Sequence, residues 1–374
     1  MKILYLSDHT PIRNSFIRQD VERISKYHDV YYFGFLSDEL KSKHYRTKCL
    51  KYPYKSIKSK IFWVLEKKNL VFTWKNRKFS KALSNEIEKI NPDIIHCQFI
   101  YESAKLIQNY SANCPVIVNV RGYGASHKLQ NPKYIKWVKI IAQNKNVFPI
   151  FVCEYLRKNL TNHNIKFINK SFVLHTGVDT EFFKRTKWVK NLHPTLIQVS
   201  SFDYKKGQEI TIKAFCKLIK NSKYNKSKLI FIGSGPNENT CKKLVKELKL
   251  SDNVVFRGFC DREEIKRSLN FADIFVHHSI TDKNSNQEGI PNSIIEAMSM
   301  EMPILSSFHG GITEAVEHKI NGLLCLENDV DTYFKNMLEI LSWNFLKINR
   351  EKAIKKFNIK SHINKLINIY NTIA

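Results

Sequence analysis

Long apolar runs are missing from this chain of 374 residues. No uninterrupted stretch approaches the roughly 20 residues that a membrane-spanning helix needs, which argues against an integral helical membrane protein. Zinc-type cysteine spacing is missing too. The eight cysteines include no C-x-x-C pair and no cluster with histidine. They sit on or beside apolar segments, as at Cys97, Cys153 and Cys325, and read as reduced core residues of a cytosolic protein. Residues 1–8, MKILYLSD, read as a strand and are too short for the apolar region of a signal peptide. Acidic residues are scarce, 34 against 61 Lys and Arg, for a formal net charge of +27. That balance suits a polyanion or an anionic membrane surface. Part of it is compositional, because Lys, Asn and Ile are abundant throughout.

The charge is nevertheless uneven. Residues 41–81 hold 14 Lys or Arg and one acid, Glu66. Ile61-Phe62-Trp63-Val64-Leu65 and Leu70-Val71-Phe72-Thr73-Trp74 lie among these cations. Aliphatics and tryptophan flanked by Lys describe a segment that dips into a bilayer interface while its cations meet anionic headgroups. The same pattern is also compatible with apolar residues packing on a core under solvated lysines. Aromatics among cations can stack bases, but no RNP, helix-turn-helix or KH pattern accompanies them, and no nucleic-acid partner is expected.

What the chain does have is alternation. Strand-like stretches within 2–7, 30–35, 91–98, 116–120, 148–157, 195–201, 229–236, 253–259 and 274–276 are separated by helical periodicity. This predicts doubly wound α/β domains, and the length suggests two. The most informative stretch is Glu288-Gly289-Ile290-Pro291-Asn292-Ser293-Ile294-Ile295-Glu296-Ala297-Met298. Pro and Asn mark a helix start near 291 or 292. One carboxylate then lies just outside the helix and another, Glu296, about one turn (roughly 5.4 Å) inside it. Free N–H groups at such an end attract phosphate.

At these residues the chain resembles the retaining glycosyltransferases of family 4, which carry E-x7-E in this strand–loop–helix setting. Within that family it is similar to the branch that assembles lipopolysaccharide, capsule and exopolysaccharide. Gly310-Gly311-Ile312-Thr313-Glu314 fits the same pattern. The resemblance covers nearly the whole chain and is most specific over 250–326. It implies the GT-B architecture: two Rossmann-like αβα domains facing each other across a cleft, with the C-terminal helix returning to the first. The expected boundaries are 1–186 for an acceptor-side domain, joined by a tail from 353 to 374, and 187–352 for a nucleotide-sugar domain, with a linker near 184–193. Glu288 is then expected to hold donor-sugar hydroxyls and Glu296 the ribose. Lys206 and the backbone of Gly289, Ile290, Pro291 and Asn292 would neutralise the leaving diphosphate without a metal or other cofactor. Arg257 and Gly258, at the end of the strand at 253–259, would frame the base.

Three positions depart from the family. Relatives read Gly-Arg-x-x-x-Lys-Lys-Gly where this chain has Ser200-Ser201-Phe202-Asp203-Tyr204-Lys205-Lys206-Gly207, so Ser201 replaces one of two expected cations. Relatives read His-Gly-x-Asp where this chain has Arg121-Gly122-Tyr123-Gly124. Arg121 cannot accept a proton, but it can stabilise phosphate charge or grip an anionic acceptor. His96 reads as a core histidine. Asp329-Val330-Asp331 reads as a helix cap rather than a metal site.

The resemblance implies transfer of a sugar from a UDP- or GDP-linked donor to a hydroxyl of a saccharide acceptor; the basic, apolar face of the first domain suggests that this acceptor is lipid-linked and that the cytoplasmic enzyme is peripheral to the inner face of the membrane. Two alternatives stand beside it: a donor- or glycan-binding subunit without catalysis, motivated by Arg121, Gly124 and Ser201, and a GT-B nucleotide-sugar epimerase. The charge distribution predicts that the protein floats with anionic liposomes at low salt and stays with the soluble fraction for neutral liposomes. Equal behaviour with both would remove the case for a membrane-facing segment.

Overall fold

The computed structural model describes residues 1–7, 15–36, 46–51, 83–100, 103, 113–186 and 189–374. The chain divides into two compact units. The first comprises Met1–Val152, Arg157–Leu174 and Ile363–Ala374, and the second Cys153–Leu156 and His175–His362.

The first unit is built on a seven-stranded sheet: β1 (Lys2–Ser7), β2 (Asp29–Leu36), β3 (Arg46–Lys51), β4 (Ile94–Cys97), β5 (Val116–Val120), β6 (Val147–Phe151) and β7 (Phe172–Val173). Their order is β3-β2-β1-β4-β5-β6-β7, and every neighbouring pair is parallel. Leu4 on β1 sits between Tyr31 on β2 and Ile95 on β4. The central strands are buried on both faces, which is why they read as continuous apolar runs rather than alternating ones. Within the basic stretch 41–81, residues 46–51 are the edge strand β3. The two tryptophan-bearing segments, 61–65 and 70–74, lie outside the described residues, as do residues 8–14.

The last helix, Ile359–Ile373, ends in this unit. Tyr370 is fully buried, and its hydroxyl is 2.7 Å from both the Tyr5 hydroxyl and His96 Nδ1. Burial pushes the Tyr5 and Tyr370 hydroxyls above the usual phenol range. His96 is thus a core histidine, as its sequence context indicated.

The second unit carries a six-stranded sheet: β8 (Thr195–Val199), β9 (Lys228–Ile232), β10 (Val254–Phe256), β11 (Ile274–His277), β12 (Ile304–Ser307) and β13 (Gly322–Cys325). The order is β10-β9-β8-β11-β12-β13, again parallel throughout. Side-chain alternation sorts its core into two layers. Ile197, Phe275 and Ile304 pack with helices Asn292–Ser299 and Lys347–Phe357 on one face. Leu196, Val276 and Leu305 pack with Gln208–Ile219 and Val330–Ile340 on the other.

The passage between units differs from the expected linker at 184–193. Residues 175–186 already pack with the second unit, because Val178 and Phe183 are buried in its core and the Val178 N–H bonds the Phe357 carbonyl at 2.8 Å. At the other end, Lys347–Phe357 stays with the second unit, and the return begins only at residue 363. Among the described residues, no helix is long and apolar enough to cross a membrane.

Because the Tyr370 hydroxyl is shared by two buried partners, Tyr370→Phe is expected to cost about 1–3 kcal/mol, read as a lower urea midpoint. An unchanged midpoint would show that this contact contributes nothing.

Candidate functional site

In the second sheet the strand order turns back between β8 and β11. Successive strands run outward from β8 to β10 on one side and from β11 to β13 on the other. Ligands of doubly wound sheets sit beyond the carboxyl ends of the strands at such a switch point. The loops there are Ser200–Gly207 after β8 and His278–Pro291 after β11.

The first loop ends in a tight turn, Tyr204–Lys206, closed by Gly207 at φ +59°. A Cβ on Gly207 would lie 1.7 Å from the His278 carbonyl oxygen, so only glycine lets the two loops meet. The Ile280 N–H bonds the Lys205 carbonyl at 2.9 Å. Gln198 Nε2 donates to the Lys206 carbonyl at 2.8 Å. The turn is thus fastened both to β8 and to the loop after β11.

It delivers two consecutive lysines to one carboxylate. Glu288 Oε1 lies 2.7 Å from Lys205 Nζ and 3.0 Å from Lys206 Nζ, and each of the three side chains is less than one-fifth exposed. Burial alone would raise the Glu288 carboxyl, but the Lys206 and Lys205 ammoniums outweigh it and hold the group well below the usual carboxylate range. Glu288 is therefore a fixed anion between two cations.

Its backbone is held as firmly. The Glu288 N–H donates to His309 Nε2 at 2.9 Å, and His309 Nδ1 lies 2.6 Å from Glu327 Oε1. His309 accepts at Nε2, so it is the neutral tautomer with its proton on Nδ1. Glu327 also receives the Thr281 N–H at 2.6 Å. Burial raises the Glu327 carboxyl, and the bonds from His309 and the Thr281 amide bring it below its ordinary value. From the other side, Gly310 (φ +51°) lies against Glu288, and a Cβ there would come within 2.1 Å of the Glu288 carbonyl oxygen.

Helix Asn292–Ser299 begins immediately after this loop, with Pro291 at its N-cap. The N–H groups of Gly289, Ile290, Asn292 and Ser293 have no acceptor among the described residues. Glu296 lies one turn in. Its side chain has no hydrogen-bond partner among the described residues, and burial pushes its carboxyl up to about 7, with Arg262 drawing it the other way. Glu288, Lys206, Gly289, Ile290, Pro291, Asn292 and Glu296 thus belong to one loop-and-helix assembly.

Other positions stand apart. The Ser201 hydroxyl donates to Asp203 at 2.5 Å. Arg257 is exposed, its Nη1 donating to Ser268 Oγ at 3.0 Å, and Gly258 follows in a left-handed conformation. Arg121 belongs to the first unit; its guanidinium lies 4.3 Å from the Phe16 ring centre, and Nη2 donates to Gln98 at 3.4 Å. Gly124 has no room for a side chain, since a Cβ would be 2.8 Å from Ile100. Asp329 caps helix Val330–Ile340 by accepting the Thr332 N–H at 2.9 Å. Glu314 accepts the Tyr155 and Glu154 N–H groups and pairs with His175 at 3.0 Å. Sequence reasoning missed Lys205, His309 and Glu327. Only Lys205 left a signal, as the second member of a lysine pair.

Residues 179–359 match the family model described as Glycosyl transferases group 1. The amylovoran biosynthesis glycosyltransferase AmsK of Erwinia amylovora is 32% identical over 208 residues, which make up 54% of this chain and 49% of that protein. The chain spans about half the length of the curated relatives it matches. Among solved structures, sucrose-phosphate synthase from Thermosynechococcus elongatus aligns with a TM-score of 0.80 at 20% identity, covering 100% of this chain and 98% of that one. HepE of Anabaena, solved in complex with UDP-glucose, aligns at 0.73 and 16% identity over 100% of both chains. This is the GT-B glycosyltransferase fold. The loops after β8 and β11 of its second unit carry the site described above.

Glu296 also makes a stability prediction. Its folded value, about 7, exceeds the ordinary 4.5, so between those pH values the folded chain binds more protons than the unfolded one. The contribution of this group to stability therefore falls as pH rises through that window. Glu296→Gln, which does not titrate, is expected to melt at a higher temperature than the unaltered protein at pH 8, the difference shrinking to nothing as pH approaches 4.5. A variant less stable at pH 8 would show that the carboxylate is a structural partner after all.

Proposed function

We propose that this protein is a retaining glycosyltransferase that moves a sugar from a nucleotide-diphosphate donor to a hydroxyl of a saccharide acceptor in cell-surface polysaccharide assembly. One arrangement carries the reading: two lysines and four free backbone N–H groups gather where a helix begins, with one carboxylate outside that end and a second one turn inside. The diphosphate would lie on the N–H groups and Lys206, the ribose would reach Glu296, and the donor sugar would extend to Glu288. The relative named for amylovoran biosynthesis supports the polysaccharide setting. The solved UDP-glucose complex of a GT-B neighbour supports a nucleotide-sugar donor, UDP- or GDP-linked.

The chemistry follows from where charge develops. As the glycosidic bond breaks, negative charge grows on the leaving phosphate, and preorganised cations and N–H dipoles stabilise it without having to move. The acceptor hydroxyl attacks the same face of the sugar, its proton passing to the leaving phosphate. No step of this scheme requires a divalent ion, and turnover is expected to survive EDTA. Arg121 is proposed for the acceptor, as a cation that cannot serve as a base. A lipid-linked acceptor at an anionic membrane surface agrees with the charge of residues 41–81.

A thermal-shift panel of UDP, GDP and ADP selects the base, and the corresponding sugars with a lipid-linked saccharide fraction give the reaction. The expected product keeps the anomeric configuration of the donor by NMR. Lys206→Ala is expected to lower kcat/KM about 100- to 1,000-fold, and Glu296→Ala to raise the donor KM. An inverted product, or an unchanged donor KM in Glu296→Ala, would refute the proposal. Isomerised donor in the absence of acceptor would identify an epimerase instead.

A further inference from the structure

The site holds one more cation than the reading above uses. Lys205 rests on the same Glu288 oxygen as Lys206, at 2.7 Å, and its side chain is 16% exposed. We propose that Lys205 is a second diphosphate-binding cation, parked on Glu288 until a nucleotide arrives, and that it supplies the charge that Ser201 does not. The assignment rests on the donor-site reading.

Four observations support it. One ammonium suffices to neutralise Glu288, and a second on the same oxygen repels the first, so the carboxylate's own needs do not explain the pair. The turn that carries both lysines is pinned through consecutive carbonyls, Lys205 to the Ile280 N–H and Lys206 to Gln198 Nε2. That fastening holds both side-chain origins where their ammoniums reach Glu288, four residues before the helix starts. Two ammoniums against one carboxylate leave a net positive charge next to the free N–H groups of Gly289, Ile290, Asn292 and Ser293. A diphosphate carries at least two negative charges, which Lys206 alone would leave only partly compensated at a largely buried position. Ser201, meanwhile, donates its hydroxyl to Asp203 at 2.5 Å and brings no charge.

Nucleotide binding would then exchange partners. The ammonium of Lys205 turns from the Glu288 carboxylate to a phosphate oxygen, and that carboxylate gains lone pairs for donor-sugar hydroxyls. Ligand capture and release of Glu288 become one event.

The test is calorimetric titration of the full chain with UDP and GDP, and with UMP and GMP, comparing the unaltered protein, Lys205→Gln and Lys205→Arg. A charge-assisted contact made only by the diphosphate predicts a roughly 10- to 100-fold loss of UDP or GDP affinity in Lys205→Gln. Monophosphate affinity should change less than about 3-fold, and Lys205→Arg should recover much of the loss. Lys205→Ala serves as a second variant should Gln disturb the turn, with melting temperature as the check on folding. Diphosphate affinity unchanged in both neutral variants would reduce Lys205 to a partner of Glu288 and overturn the proposal. So would equal losses for mono- and diphosphates. If the unaltered protein binds no nucleoside diphosphate, the donor-site reading itself fails, and this assignment falls with it.

Discussion

A carboxylate placed between two ammonium groups, all three largely withdrawn from water, can persist only if the surrounding backbone holds them there. Each of those charges loses hydration on burial, and their mutual attraction offsets that loss only when geometry is fixed. The second unit supplies the fixing from several directions. Gly207 lets the lysine turn touch the loop after β11, Gly310 lets the next loop lie against the Glu288 backbone, and the His309–Glu327 pair holds the Glu288 amide. The arrangement of strands makes this possible, because β8 and β11 are neighbours in space although 70 residues, 208–277, lie between their loops in sequence.

Glu296 follows a different logic. It stands on a helix whose own packing is apolar, through Ile294, Ile295 and Met298, and it has no hydrogen-bond partner among the described residues. A fold selected only for stability would replace such a carboxylate with a neutral side chain. Positions where local preference and global stability disagree are where function is to be sought. Glu288 and Glu296, eight residues apart, thus sit in opposite electrostatic settings. Cations hold one ionised, and burial keeps the other close to its protonation point near neutrality.

The strands were legible because parallel sheets covered on both faces demand continuous apolar runs, as in IFVH of β11 and TLIQV of β8. The start of the helix after Glu288 was legible from Pro291 and Asn292, whose backbone preferences act locally. Lys205 was half legible: two adjacent lysines do not normally reach the same atom, and only the tight turn before Gly207 brings them together. His309 and Glu327 carried no spacing signal at all, since their partners are 21 and 46 residues away and are found only once β11, β12 and β13 lie side by side. The passage into the second unit was misplaced for a related reason. Polar residues at 184–187 look like a linker, yet the neighbouring Val178 and Phe183 are drawn into the core of the second unit.

The lone pair that His309 offers has a consequence for how this loop keeps its shape. An imidazole that receives the Glu288 amide at one nitrogen can do so only while that nitrogen keeps its lone pair. A side chain that could only donate at that position would set two N–H groups against each other and release the peptide that positions the anion between the lysines. The loop therefore depends on one lone pair behind its main chain as much as on the charges in front of it.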